Sequence, residues 1–224
     1  MADHLVILAL AVGGLVAFLI YKGILSAREA KAEKLRGLRA LGFEPLVALP
    51  ADDAEAVLAL HDKKKIKNVF ERRGSTDRLY LLDLERDSDD SPHHETIAVF
   101  SPRLRLPSLT LFPRIGGDGG LAALGNLLLK KLAQRRGKAL DLPAHPRFAR
   151  RHFVSGPDEE ALRQFLTTDR LDRLAALEHM VVDGKGSVFT YQRVHFGKQK
   201  GRIHRDQIAE RVQQAEEVLR ALGG

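Results

Sequence analysis

Apolar and polar positions alternate with three different periods along this chain, and each period predicts a different kind of element. From Leu5 to Tyr21 the sequence reads LVILALAVGGLVAFLIY, with no charged side chain until Lys22. About 17 such residues, each rising ~1.5 Å, make a helix of roughly 25 Å, close to the ~30 Å of a bilayer core. The pattern therefore predicts a short tail over residues 1–4 and a transmembrane helix over 5–22. A cleaved signal peptide fits less well, because the chain opens Met-Ala-Asp-His and lacks a small-x-small site after the apolar run. A buried core helix also fits less well, since such helices seldom stay apolar on every face. Ser26 and Glu29 then form a capping box, and Leu35, Leu38 and Leu41 give an apolar edge up to Gly42, so a juxtamembrane helix is expected over 23–42.

The period changes after Gly42. Phe43 to Leu49 reads as extended, Pro50 to Asp53 opens a short helix, and Lys63-Lys64-Lys65 marks an exposed turn. Arg78 to Leu84, Thr96 to Phe100 and Ser108 to Phe112 are β-type runs bounded by turn residues, which suggests an antiparallel sheet with a polar tip at Asp87 to Pro92. Leu121 to Arg136 has a helical pattern. A second unit follows: a strand at Phe153-Val154, helices opened by Pro157-Asp158 and carried by Leu171, Leu174 and Leu177, and strands at Met180 to Val182 and Ser187 to Val194 joined by an Asp183-Gly-Lys-Gly186 turn. The last helix, Arg205 to Leu222, buries Ile208, Val212, Ala215 and Leu219. The expected fold class is α+β: a membrane helix, then antiparallel strands and packed helices in two similar-sized units, 43–140 and 141–224.

Charge adds an orientation and a surface. Lys22, Arg28, Lys31, Lys34, Arg36 and Arg39 follow the apolar run, which by the positive-inside rule puts the N-terminus outside and the rest in the cytoplasm of a bacterial inner membrane. The absence of cysteine is neutral on compartment. Lys130, Lys131, Arg135, Arg136, Lys138, Arg147, Arg150 and Arg151 are opposed only by Asp141, an excess as large as the net +7 of the whole chain. Near a cytoplasmic leaflet such a basic patch gains about 1 kcal/mol per residue from anionic lipid headgroups. Nucleic acid is a weaker fit, with no Trp and no recognisable reading motif. Ala9, Gly13 and Ala17 repeat at four-residue spacing and form a small-residue face suited to helix–helix contact.

Three segments carry a resemblance: Leu106-Pro-Ser-Leu-Thr-Leu-Phe-Pro113, His145-Pro-Arg-Phe-Ala-Arg-Arg-His-Phe-Val-Ser-Gly156 and Asp158-Glu-Glu-Ala-Leu-Arg-Gln-Phe165. Over residues 75–222 the chain resembles a loose group of uncharacterised bacterial membrane-anchored proteins with an LPxFxLxP segment followed by HPxFxxxYxLxGxDE. Leu109 stands where the group has an aromatic residue. The resemblance implies a bacterial source and an α+β domain, and no activity.

Catalytic and metal patterns are weak. His93-His94-Glu95 would alternate across a strand, and His145, His152, His195 and His204 lack ligand spacing. Gly116 to Gly120 lacks the Lys-Ser/Thr of a phosphate loop, and Ser155 lies outside any nucleophile elbow. No catalytic residue, metal ligand or cofactor is assigned. The expected function is a membrane-anchored binding or scaffolding module that meets lipid headgroups and an unknown protein partner. A tethered enzyme and, on charge alone, a nucleic-acid-binding domain are the alternatives.

Overall fold

The computed structural model describes residues 2–61, 64–74, 76–86, 94–115, 126, 131, 137–193 and 205–223, the side chains of 2–17, 19, 20, 27, 64, 86, 94, 205 and 206 excepted. The chain forms two compact units, 1–42 and 43–224.

The first unit is one continuous helix, α1 (Ala2–Ala40). It passes through Ser26 without a break, so the expected capping box starts no helix there. Its end is as the sequence indicates: Leu41 N–H donates to Leu38 O, Gly42 N–H to Arg39 O, and Gly42 takes a φ of 82° that a side chain would disfavour.

Here the membrane expectations are corrected. Among the described residues no helix is long and apolar enough to cross a membrane. From Tyr21 onward the described part of α1 carries Lys22, Arg28, Glu29, Lys31 and Glu33, a charge density that a hydrocarbon core does not accept. The transmembrane assignment of 5–22, the single-pass inner-membrane placement and the N-out orientation are overturned by that finding. Apart from Phe18 and Tyr21, the side chains of Leu5–Tyr21 lie outside the described residues, and so do those of Ala9, Gly13 and Ala17.

The second unit is built on one nine-stranded antiparallel sheet. Its elements are β1 (Glu44–Pro45), α2 (Ala51–Leu60), β2 (Lys64–Arg73), β3 (Arg78–Arg86), β4 (His94–Phe100), β5 (Leu106–Pro113), β6 (Lys138–Leu140), α3 (Pro146–Arg151), β7 (His152–Gly156), α4 (Glu159–Phe165), α5 (Thr168–Ala175), β8 (Met180–Gly186), β9 (Val188–Arg193) and α6 (Arg205–Gly223). The strand order is β1-β2-β3-β4-β9-β8-β5-β7-β6. Because β4 pairs with β9 and β5 with both β7 and β8, strands expected in two separate units share one sheet.

Alternation along the strands gives the sheet two buried faces. On one, Tyr80, Leu82, Leu84, Ala98, Phe100 and Val188 pack with Leu49, Val57 and Val69, so α2 lies on this face. On the other, α6 is fixed by Arg211, which pairs with Glu95 and sits against β4, and by Tyr191, whose hydroxyl donates to Gln214 at 2.5 Å. Ile208, Val212, Ala215, Val218 and Leu222 of α6 are buried, as its 3.6-residue period demands. Each fully buried Leu or Val contributes about 1.5–3 kcal/mol.

One local feature differs from the sequence expectation and a second agrees with it. The β8–β9 turn falls at Gly186-Ser187, with Gly186 at a φ of 62°, so Asp183 and Gly184 lie inside β8 rather than in the turn. Helix α4 starts where Asp158 accepts a hydrogen bond from Ala161 N–H, at 2.9 Å, and packs its Leu162 against Gly156; a Cβ there would lie 2.3 Å from Ser108 O. Glycine is required for that approach.

Candidate functional site

Two constellations of polar side chains stand out, one closed and one open. The closed one is a row of directly opposed residues running across the sheet. Ala98 of β4 faces Thr190 of β9, Thr190 faces Asp183 of β8, Asp183 faces Thr110 of β5, and Thr110 faces Ser155 of β7. Residues that face each other in register share a side of the sheet. Thr110 Oγ1 donates to Asp183 Oδ1 at 2.7 Å. His61, the residue that caps the C-terminal end of α2, places Nε2 2.7 Å from Thr190 Oγ1 and Nδ1 3.7 Å from Asp183 Oδ2.

Carboxylate, imidazole and hydroxyl thus stand in the order of a nucleophile relay. Burial decides against reading them as one. Exposure is 2% at His61, 4% at Asp183, 1% at Thr190 and 5% at Thr110, which shuts the hydroxyls off from solvent. The row ties α2 to three strands by polar bonds made in a low-dielectric interior. Ser155 Oγ is buried beside it with no hydrogen-bond partner among the described residues. Farther along the same face, Tyr80 donates to Asp53 Oδ2 at 2.8 Å while Arg78 clamps both Asp53 oxygens at 2.7 and 3.0 Å, a second tie between α2 and the sheet.

His152 is a third buried polar group. Its Nε2 lies 2.9 Å from Leu177 O, and its ring lies 5.2 Å from that of Phe148. Burial pushes its pKa down to about 4, because the charged imidazolium would lose its hydration.

The open constellation is a cleft of about 510 Å³ lined by Arg103, Arg105, Pro107, Ala161, Gln164, Phe165, Arg170 and Leu222. The β4–β5 connection and the start of β5 supply one wall; α4, α5 and the end of α6 supply the others. Arg103 pairs with Asp77. Arg105 pairs with no carboxylate among the described residues: its Nη1 donates to Pro102 O and Leu104 O, each at 2.7 Å. Arg170 is also held by backbone, with Nη1 donating to Phe165 O at 2.7 Å and its guanidinium stacked 4.2 Å above the centre of the Phe165 ring. No carboxylate lines the cleft among the described residues. Two positive charges are therefore positioned there without an anionic partner among the described residues.

The basic patch expected from the sequence is only partly brought together. Lys138 on β6 pairs with Glu159 at 2.7 Å, and Arg151 on α3 pairs with Glu178 at 3.0 Å. Arg147 and Arg150 are exposed on α3, and Lys131 is exposed. Lys130, Arg135 and Arg136 lie outside the described residues, as do His93, His195, His204, the Asp87–Pro92 tip and the Gly116–Gly120 run. Among the described residues no group of three His, Asp or Glu side chains is arranged to hold a metal ion. The cleft arginines were missed by sequence reasoning, since positions 103, 105 and 170 share no motif; a basic pair flanking Leu104 was the one visible signal.

No family model matches the chain, and no curated protein matches it. A solved structure does. The crystal structure of the mycobacterial trehalose monomycolate transport factor A, TtfA, is similar in fold, with a TM-score of 0.52 at 12% identity, over 87% of this chain and 97% of that one. At that identity the likeness shows a shared fold.

Proposed function

We propose that the chain is a binding module whose working surface is the cleft of Arg103, Arg105 and Arg170, and that its ligand is anionic. The observation that carries this reading is that Arg105 and Arg170 are immobilised by backbone carbonyls rather than neutralised by carboxylates. Holding a guanidinium still costs side-chain entropy, and here that cost is met before any ligand arrives. Polar groups beneath α2 are enclosed, which favours a binding role over a tethered enzyme. The likeness in fold to a protein named as a transport factor sits with an accessory role of this kind.

The test is titration calorimetry of the full chain with inorganic phosphate and with citrate. Saturable binding by the parent, lost in the Arg105→Ala/Arg170→Ala double variant, is the expected result. Absence of saturable binding, or equal binding by parent and double variant, overturns the proposal.

A further inference from the structure

We infer that the cleft selects a phosphate monoester carrying an apolar substituent, a small amphiphilic molecule rather than a simple carboxylate. The inference rests on the anion-binding reading above and sharpens it through the donor geometry and the balance of charge.

Consider first the hydrogen-bond donors. Arg105 uses both Nη1 protons on Pro102 O and Leu104 O. Its remaining donors are the Nε–H and the two on Nη2, which form the planar fork that matches two oxygens of a carboxylate or phosphate. Arg170 spends one Nη1 proton on Phe165 O and keeps four others. A carboxylate offers two oxygens, and the terminal group of a phosphate monoester offers three. Guanidinium groups arriving from separate walls, one beside β5 and one on α5, are better matched by three.

Charge points the same way. Arg103 is balanced by Asp77, while among the described residues Arg105 and Arg170 together leave two unbalanced charges. A phosphate monoester carries about −1.5 to −2 at pH 7, whereas a carboxylate or a sulfate ester carries about one charge.

Apart from Gln164, the rest of the lining is apolar. Half-buried Phe165, Pro107 and Ala161 border the same cleft as the guanidinium groups. A free phosphate would leave that surface wet; an apolar substituent on the phosphate oxygen would cover it. Phe165 serves both parts, since its ring also supports Arg170 from below at 4.2 Å.

The experiment compares phenyl phosphate, inorganic phosphate and phenyl sulfate by calorimetry on the full chain at pH 7.5 and pH 5.0. Phenyl phosphate is expected to bind about tenfold tighter than either of the others at pH 7.5. Its advantage over phenyl sulfate should shrink at pH 5.0, where the monoester, with a second pKa of about 6, takes up a proton and the sulfate does not. Arg105→Lys keeps the charge but loses the fork, and should weaken phenyl phosphate about tenfold. Phe165→Leu should narrow the gap between phenyl phosphate and phosphate.

Equal affinities for phenyl phosphate and phosphate would overturn the apolar-substituent inference and leave anion binding standing. Equal affinities for phenyl phosphate and phenyl sulfate would overturn the dianion. Failure of the parent to bind any of the three would overturn the anion-binding reading itself. If either variant loses its fold by circular dichroism, the three-ligand comparison on the parent still decides the matter.

Discussion

Strand β5 carries two polar regions with opposite fates. At its centre Thr110 meets Asp183 in a row closed over by α2; at its start Pro107 borders the open cleft of Arg103, Arg105 and Arg170. In the closed row the polar atoms of Thr110, Asp183, Thr190 and His61 are directed at one another, and Ser155 Oγ beside them is buried. In the cleft, backbone carbonyls hold the guanidinium groups of Arg105 and Arg170, and no carboxylate among the described residues neutralises them. A buried polar group that has partners contributes to the fold, and an exposed one held in place without a counter-charge is available to a ligand. Partner chemistry, rather than residue type, separates structure from function in this domain.

The comparison breaks most visibly at Asp183. Asp183→Ala removes the acceptor for Thr110 and the carboxylate beside His61 and opens a hole between β5 and β9. Stability should fall by about 3–5 kcal/mol, measured as a lower midpoint in urea unfolding. Affinity for anions at the cleft, measured where the variant remains folded, should not change. Asp183→Asn, which can still accept from Thr110, should lose less. A variant as stable as the parent would mean that the row is not a structural tie.

Much of this framework was legible in the sequence, for physical reasons that particular elements make plain. β3, β4 and β5 are buried on both faces and read as apolar runs, so their existence was clear. β2 was not, because KKIKNVFERR lies one strand from the sheet edge, where lysines remain solvated, and a register shift between Lys67 and Phe70 with Asn68 at a φ of 48° interrupts its alternation. Asp183-Gly-Lys-Gly186 has turn composition, yet Gly184 is paired with Leu109 and Phe189 inside β8, and the turn comes later. That shift hid Asp183 as a core acid. The cleft was hidden differently: its arginines come from a connection before β5 and from α5, and only the sheet order β8-β5-β7 brings such distant segments together. The basic run at 130–151 was visible as charge, but Glu159 and Glu178, which neutralise two of its members, sit on other elements. The apolar run at 5–21 suggested a span because hydropathy reads a segment in isolation, whereas α1 runs on without interruption into a charged stretch.

A smaller test concerns His152, buried on the strand that also carries Ser155. Its folded pKa of about 4 lies below the ordinary 6.5, so between those values the unfolded chain binds a proton that the folded one does not. Stability therefore rises with pH across this window. The contribution is fully present above pH 6.5 and is lost progressively as pH falls toward 4. The loss should reach about 3 kcal/mol, since one pKa unit corresponds to about 1.4 kcal/mol. Denaturant unfolding at pH 7 and pH 4.5 measures it. His152→Phe should flatten this part of the profile; an unchanged slope would show that other groups carry it.

The smallest expected effect on stability is the one that separates the two regions most cleanly. Arg105→Ala removes a side chain that is exposed and, among the described residues, bonded only to the carbonyls of Pro102 and Leu104, both within three residues of it. The carbonyl of buried Leu104 loses one hydrogen bond and no buried charge loses its partner, so the unfolding midpoint should move by no more than about 1 kcal/mol in equivalent free energy. Binding of phenyl phosphate should fall at least about tenfold, because the unengaged fork is lost. Asp183 and Arg105 then form a crossed pair: the first variant unfolds easily and binds normally, the second folds normally and binds poorly. If Arg105→Ala lowered stability as much as Asp183→Ala, the cleft arginine would be a structural residue, and the division drawn along β5 would fail.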